Sequence, residues 1–266
     1  MIRVCRPIAM PLTPTQIDQA GLHLLAARRA AQPGPRLPEA CRPTELRDAL
    51  AIQRRVQALL DAKTGGWKCS LPTAERALAY ASIFAPSISR RSPYIIAMRE
   101  RVARIEPEIA FVLGRDLPPR GEPYSEAEVR ASIAETRLVL EILGSRYADA
   151  GAVGFAETLA DQVNNEGLFV GPVVEDGLSR PLSGFPIAVD GPSGSLLRRD
   201  GRHPDGHPLR PLVWLANELA AHASGLKAGE IVTTGSYAGA LEVPLRTPLR
   251  IAFGDLGWIA IECATA

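Results

Sequence analysis

The sequence predicts an α+β fold, on three observations. The first third carries apolar residues at helical spacing, and the remainder breaks into short β-rich runs punctuated by Gly, Pro and Asp. The third is that 46% hydrophobic content over 266 residues is ample for one packed interior. We expect a single domain spanning 1–266. Residues 1–65 would form a helical N-terminal layer and residues 66–266 a mostly-β body with a few helices.

Taken in order, an Ala/Leu stripe over residues 15–30 reads as the first helix, stopping before Gln32-Pro33-Gly34-Pro35. Pro43-Thr44 opens a second, with Thr44 as N-cap and Leu46, Leu50, Val56, Leu59 and Leu60 as its buried face. Gly65-Gly66 would close it. From Trp67 the texture changes, and strand-like runs fall at 105–113, 138–143, 168–174, 185–189, 230–234, 249–253 and 258–263. Two helices interrupt them. One starts at Ser125, where Ser125-Glu126-Ala127-Glu128 has the form of a capping box, and the other covers 212–224 and ends at Gly225. The Gly-, Pro- and Arg-rich stretch 190–208 reads as a surface excursion.

Composition removes several classes of function. With 30 basic and 29 acidic residues the net charge is +1, which lacks the electrostatic footprint of a nucleic-acid binder. No apolar run is long enough to span a membrane, and the N-terminus does not read as a secretory signal. Cys5, Cys41, Cys69 and Cys263 form no CxxC pair and no disulfide framework, so a reduced, cytoplasmic setting is expected. Cys69, beside a lysine, reads either as a plain buried thiol, the commoner case, or as part of a cavity wall, and the other three as structurally incidental.

Carboxylates carry the candidate chemistry. In a strand over 105–113, Glu106 and Glu108 share a face while Ile105, Ile109, Phe111 and Leu113 point the other way. Two like charges at that spacing call for a cation between them, and a hard ion such as Mg²⁺ or Mn²⁺ takes oxygen ligands. Taken alone, a solvated face at the start of a strand is the commoner explanation, and Pro107 would be tolerated there. Glu141 is stranded in the apolar run Leu138-Val139-Leu140-Glu141-Ile142-Leu143, either seeking a partner or continuing the polar face of the preceding helix. Lys68 follows a glycine turn and a tryptophan, a setting in which a lysine is either an ordinary surface residue or one with a lowered pKa for acid–base work.

These residues fall into an ordered set. Gly66-Trp67-Lys68, the run from Glu106 to Leu113, Leu140-Glu141-Ile142 with Ser145-Arg146, Trp214-Leu215-Ala216-Asn217, the run from Leu226 to Ser236, and Phe253-Gly254-Asp255-Leu256-Gly257 follow one another along the chain. Together they resemble the 2-keto-4-pentenoate hydratase/4-oxalocrotonate decarboxylase family of the fumarylacetoacetate hydrolase superfamily. The resemblance covers nearly the whole chain. It implies a mixed β-roll like the C-terminal domain of that superfamily, a divalent metal (Mg²⁺ or Mn²⁺) held by Glu106, Glu108 and Glu141, and Lys68 as the acid–base residue of the pocket. It also turns Thr234-Gly235-Ser236, otherwise a strand-ending turn, into a contact for the substrate.

Two departures stand out. Members carry an acidic, glycine-containing segment with an aspartate shortly after Gly-Trp-Lys, whereas residues 71–104 here hold only Glu75 and Glu100 as acids. The Asn/Ser-rich stretch expected before Phe169 reads Asp161-Gln162-Val163-Asn164-Asn165-Glu166-Gly167. Both bear on the far end of the substrate and on a second proton shuttle, for which Glu166 and His207 are the reserve candidates. His203 and His207 cannot form a helical zinc pair across Pro204 and Gly206. Gly191-Pro192-Ser193-Gly194-Ser195 lacks a P-loop lysine and reads as a hairpin turn, and no Gly-x-Ser-x-Gly elbow exists.

The expected activity is hydration of a 2-hydroxy-2,4-dienoate of the 2-oxopent-4-enoate type, in aromatic-compound catabolism. The alternatives are decarboxylation of a 2-oxo-3-enedioate, hydrolysis of an acylpyruvate, or a weakly catalytic partner subunit. The expected partners are a small-molecule 2-oxo/2-hydroxy dienoate and further copies of the chain in a homo-oligomer, with a related pathway enzyme as a further associate. No nucleic acid and no membrane are expected.

Overall fold

In the computed structural model of the chain, which describes residues 10–73, 79–99 and 101–266, helices come first. Cys5, Glu75 and Glu100 lie outside the described residues. Helix α1 (Pro14–Ala30) starts on a capping box: Thr13 Oγ1 accepts the Gln16 N–H, and the Gln16 side chain accepts the Thr13 N–H. It stops at Ala31, whose backbone is left-handed. Helix α2 (Leu46–Leu59) begins one residue later than expected, after Glu45 rather than Thr44, and has no side-chain cap. Tertiary packing holds it instead. Ala49, Ile52 and Val56 of α2 meet Ala20 and Leu24 of α1 in a second core that also takes in Tyr147 and Leu159.

Strands β1 (Thr64–Ser70), β2 (Ala79–Phe84), β3 (Ile88–Ser89), β4 (Tyr94–Ile96) and β5 (Val102–Leu113) follow. Next come α3 (Glu126–Ser132), β6 (Ile133–Leu143), α4 (Phe155–Ala160), β7 (Asn165–Val173) and the pair β8 (Gly184–Gly191) and β9 (Gly194–Arg202). Helix α5 (Leu209–Ala221) leads to β10 (Ile231–Thr233), β11 (Leu241–Pro244), β12 (Leu249–Phe253), β13 (Trp258–Ile261) and β14 (Cys263–Thr265). The main sheet runs β2-β1-β10-β5-β6-β7-β3, with β11 also paired to β5. A second sheet runs β13-β12-β8-β9, and β14 pairs with β4. Among the described residues no helix is long and apolar enough to cross a membrane.

Strand alternation sorts the two faces of the main sheet. Ile105, Ile109, Phe111 and Leu113 of β5 join Leu138, Leu140 and Ile142 of β6 in the principal core. The opposite face carries Glu106, Glu108 and Ala110 on β5, with Val139 and Glu141 on β6. Ala110 and Val139 pack there with Ile83, Leu168 and Ile231, so the carboxylates share their face with a small apolar cluster.

Several sequence expectations need correction. Gly65-Gly66 does not end α2, which stops at Leu60; both glycines lie inside β1. Close approach explains Gly66, because a Cβ there would lie 2.2 Å from the Ile231 carbonyl of the parallel neighbour β10. The stretch 190–208 is not a loop throughout, since residues 194–202 form β9, antiparallel to β8. Its side chains are exposed on both faces, which erases the alternation that marks a strand. Pro107 sits mid-strand, not at the start. It is tolerated because β10 pairs with residues 110–112 and β11 with 102–105, leaving the edge of Pro107 between them.

Replacing Gly66 with alanine tests the close approach. Gly66→Ala should lower the stability of the fold by roughly 1–3 kcal/mol, the range for forcing an extra methyl into a packed interior. The readout is a lower urea midpoint at unchanged m-value; an unshifted midpoint would show that β1 and β10 can separate freely.

Candidate active site

Glu106 and Glu141 are directly opposite one another on β5 and β6, and Glu108 is two residues along on the same face. One carboxylate oxygen from each lies within 4.8 Å of the others. Among the described residues this is the one group of ligating side chains close enough to share an ion. Glu108 and Glu141 are 2% and 1% exposed, so water does little to screen them. Burial first, then the neighbouring carboxylates, push the Glu106 carboxyl up to about 7 and the Glu108 carboxyl up to about 8. Lys68 and the hydrogen bonds to Glu108 oppose those shifts without cancelling them.

Lys68 reaches this cluster from β1. In a flat sheet β1 and β6 would stand ~14 Å apart, yet the Lys68 Nζ lies 2.5 Å from Glu141 Oε1, because the sheet curls. A second acceptor, the Val163 carbonyl, is 3.1 Å from the same nitrogen. The expectation of a lowered lysine pKa is reversed. Burial alone would depress it, but Glu141, Glu106 and Glu108 together outweigh burial and raise it.

Neutral donors complete the arrangement. Glu108 accepts a short hydrogen bond from the Thr233 hydroxyl and one from the Gly235 N–H at 2.8 Å. Glu141 accepts from Asn165 Nδ2 at 2.9 Å. The Thr234-Gly235-Ser236 segment, just past the end of β10, is divided. Thr234 is fully buried, with its hydroxyl near the Ile109 carbonyl and His203, and it is not part of the cavity wall. Gly235 and Ser236 do line the cavity, although the Gly235 N–H is already given to Glu108. Gly235 is required there, since its φ is +123° and a Cβ would lie 2.9 Å from Pro204.

The cavity above the carboxylates measures about 430 Å³ and is bounded by Lys68, Leu71, Leu143, Val163, Asp205 and Ser236 among others. A larger hollow of about 730 Å³ near Phe84 and Tyr94 is mostly apolar. Its buried carboxylate, Glu166, is taken by Arg146 Nη1 at 2.8 Å and the Met98 N–H at 3.1 Å, so titratable chemistry points to the smaller cavity. Glu166 is therefore not a reserve proton carrier. Nor is His207, which stands outside the cavity wall and accepts the Leu209 N–H at the start of α5. Cys41, Cys69 and Cys263 are free and buried, and burial raises the Cys69 thiol well above its usual range.

Sequence reasoning missed Thr233, Asn165, the Val163 carbonyl and Asp205. Thr233 was readable, as the last strand residue before the Thr234-Gly235-Ser236 segment. The others depend on chain reversals that no periodicity encodes.

The carboxylate cluster makes stability depend on pH. Glu106 and Glu108 hold protons in the folded state up to about 7 and about 8, while an unfolded chain releases them near 4.5. The folded state therefore binds more protons across that window, and stability falls as pH rises through it. Lys68, with its raised pKa, contributes fully throughout and loses its contribution only at higher pH. In chelator, Tm should drop by ~5 °C or more between pH 5 and pH 8, read by thermal melts. A flat profile would mean that the carboxylates ionise without mutual penalty.

No family model matches the chain. A 2-keto-4-pentenoate hydratase from Paraburkholderia xenovorans (strain LB400) is 34% identical over 135 residues, which is 50% of this chain and 48% of the relative. A 4-oxalocrotonate decarboxylase from Pseudomonas sp is 27% identical over 166 residues, 60% of each chain. The chain thus spans about half the length of the first of these curated relatives and somewhat more of the second. Among solved structures, the 4-oxalocrotonate decarboxylase from Pseudomonas putida G7, complexed with magnesium and adipate, matches with a TM-score of 0.77 at 18% identity, over 96% of this chain and 100% of that one. A fumarylacetoacetate hydrolase family protein from Yersinia pestis CO92 matches with a TM-score of 0.55 at 16% identity, over 77% of this chain and 94% of that one. The chain is a homologue of the 2-keto-4-pentenoate hydratases and 4-oxalocrotonate decarboxylases, and it has the fold of the fumarylacetoacetate hydrolase superfamily.

Proposed function

We propose that the chain is a divalent-metal-dependent hydro-lyase that adds water to a 2-hydroxy-2,4-dienoate, with Mg²⁺ or Mn²⁺ held by Glu106, Glu108 and Glu141. The observation that carries this reading is the triad itself, with Glu108 and Glu141 buried and Glu106 half-buried. Three carboxylate oxygens within 4.8 Å, two of them on groups whose pKa is driven up by burial and then by crowding, form a donor set short of positive charge. All-oxygen donors suit a hard dication rather than zinc. When bound, such an ion supplies the positive charge that stabilises the oxyanion developing on a 2-oxo acid.

The chain's own residues supply proton movement and placement. Lys68 Nζ has three N–H bonds and two protein acceptors, Glu141 Oε1 and the Val163 carbonyl. The third is left for the substrate. Because the surrounding carboxylates raise its pKa, Lys68 starts as the acid: as the dienol becomes the enone it delivers a proton to the terminal diene carbon, and the proton that leaves the 2-hydroxyl restores the ammonium. Glu141 holds the ammonium in position throughout. Leu71, Leu143 and Val163 give the hydrocarbon part of the substrate an apolar wall. The matches to named hydratases favour water addition. Decarboxylation of a 2-oxo-3-enedioate at the same centre is the rival reading, favoured by the match to a decarboxylase.

A panel of dienoates and enedioates with Mg²⁺ or Mn²⁺, following ultraviolet loss of the dienol together with CO₂ release, separates the two. Dienol loss without CO₂ supports the hydratase, and CO₂ release from the enedioate alone would replace it. In the same assay Lys68→Ala should lower kcat by roughly a hundredfold or more, the range for losing a general acid. Lys68→Arg should not rescue, since a guanidinium does not give up its proton. Metal affinity of Lys68→Ala, measured by calorimetry, should hold or rise because a competing positive charge is gone. Near-normal turnover with lost metal binding would instead make Lys68 a structural support.

A further inference from the structure

Charge is distributed unevenly around the cavity. Glu106, Glu108, Glu141 and Lys68 stand together. The turn between β9 and α5 brings a fourth carboxylate, Asp205, into the same wall. Its position is fixed through three bonds. Asp205 Oδ2 accepts the Leu71 N–H at 3.0 Å, its own N–H donates to His203 Nδ1 at 3.1 Å, and its carbonyl accepts from Arg210 Nη1 at 2.8 Å.

None of these bonds sets a cation on the carboxylate. Leu71 gives a peptide N–H, and Arg210 bonds the backbone carbonyl. His203 is buried and neutral, since Nδ1 already accepts an N–H and burial pushes its pKa down to about 4. Lys68, the one cation among the described residues of the cavity wall, is committed to Glu141. Asp205 shares the wall of this cavity, about 430 Å³, with Leu71, Leu143 and Val163.

We infer that Asp205 is a specificity-determining residue: its carboxylate turns away substrates that bear a second carboxylate at their distal end, and the cavity takes 2-hydroxy-2,4-dienoates with an uncharged tail. This rests on the reading of the cavity as a dienoate site. Two negative charges about 5 Å apart in a partly screened pocket repel enough to weaken binding by roughly two orders of magnitude. An uncharged tail meets no such penalty and lies instead against Leu71, Leu143 and Val163.

The test compares two six-carbon acids that differ only in the distal carboxylate. Hexanoate and adipate are titrated calorimetrically into the magnesium-loaded wild-type protein, Asp205→Asn and Asp205→Ser. The ratio of kcat/KM for 2-hydroxyhexa-2,4-dienoate over 2-hydroxyhexa-2,4-dienedioate is measured alongside. Because both ligands meet the same sample, the ratio is insensitive to the fraction of protein folded. The wild type should favour hexanoate by about tenfold or more, and both variants should move the ratio toward adipate by about ten- to a hundredfold. A ratio within twofold of wild type in both variants, or shifts of opposite sign, overturns the role of Asp205. If the wild type turns over neither dienoate but the binding ratio shifts, Asp205 keeps its role and the dienoate reading fails. Dienoate turnover with an unshifted ratio has the reverse meaning.

Discussion

Mutual repulsion among three carboxylates on one buried sheet face is the constraint to which the surrounding structure answers. Like charges directly opposite on neighbouring strands destabilise a sheet even at the surface, and Glu106, half-buried, and Glu141, buried, occupy that relation here. One formal positive charge, Lys68, lies against them, and it comes from a strand that is not adjacent to either. The curl of the sheet and the close passage of β1 along β10 at Gly66 bring it within reach. Thr233, Gly235 and Asn165 add hydrogen bonds from neutral groups. These lower the cost without removing it, and burial together with the repulsion keeps the carboxyls of Glu106 and Glu108 protonated to unusually high pH. A dication at this place would convert the repulsion into binding energy, which is why the cluster and the proposed metal are one physical idea.

A second layer of charge holds the backbone that faces the cluster. Gln162, Val163 and Asn164 have φ of 52°, 51° and 59°, three successive residues in the region that side chains disfavour. Such a turn persists only where its surroundings over-determine it. Arg146, 1% exposed, does much of that by bonding both carboxylate oxygens and the carbonyl of Asp161, and also Glu166. Arg28 bonds the Gln162 side chain from α1. Buried ion pairs of this kind add little net stability, but losing one partner strands a charge. Their effect here is geometric. They aim the Val163 carbonyl at Lys68 and set Asn165 on Glu141. The helical layer, through Arg28, thereby touches the site at one remove.

What was legible in the sequence follows from the range of the forces involved. The period of β5 put Glu106 and Glu108 on one face, and the capping box at Ser125 marked the start of α3, because both are local. The convergence of Glu141 and Lys68 on that pair could be suspected from motif order, not deduced, since it depends on register and on curl. Gly66 was misread for a related reason: a glycine serving a close approach looks, in sequence, like one ending a helix. Strand β9 was missed because neither of its faces is consistently buried. Lys68 illustrates the same limit in electrostatics, where burial argued for a lowered pKa and three unseen neighbours reversed the sign.

Hydration of a dienoate and decarboxylation of an enedioate need the same electron sink at the 2-oxygen, so the metal end of a site cannot tell them apart. Discrimination has to come from whatever meets the distal end of the substrate. In the proposed site β6 contributes Leu143 to that region, at the end of the strand and beyond the carboxylate cluster. The rest is made where the end of β1 at Leu71 is tied to Asp205 in the turn before α5, two segments 134 positions apart in sequence. A single backbone N–H joins them, and the change of one side chain in that turn alters the charge of the wall without touching a strand. A sheet that holds the reacting end rigidly, with loops that choose the other end, permits closely related chains to diverge in reaction while keeping the same acidic centre.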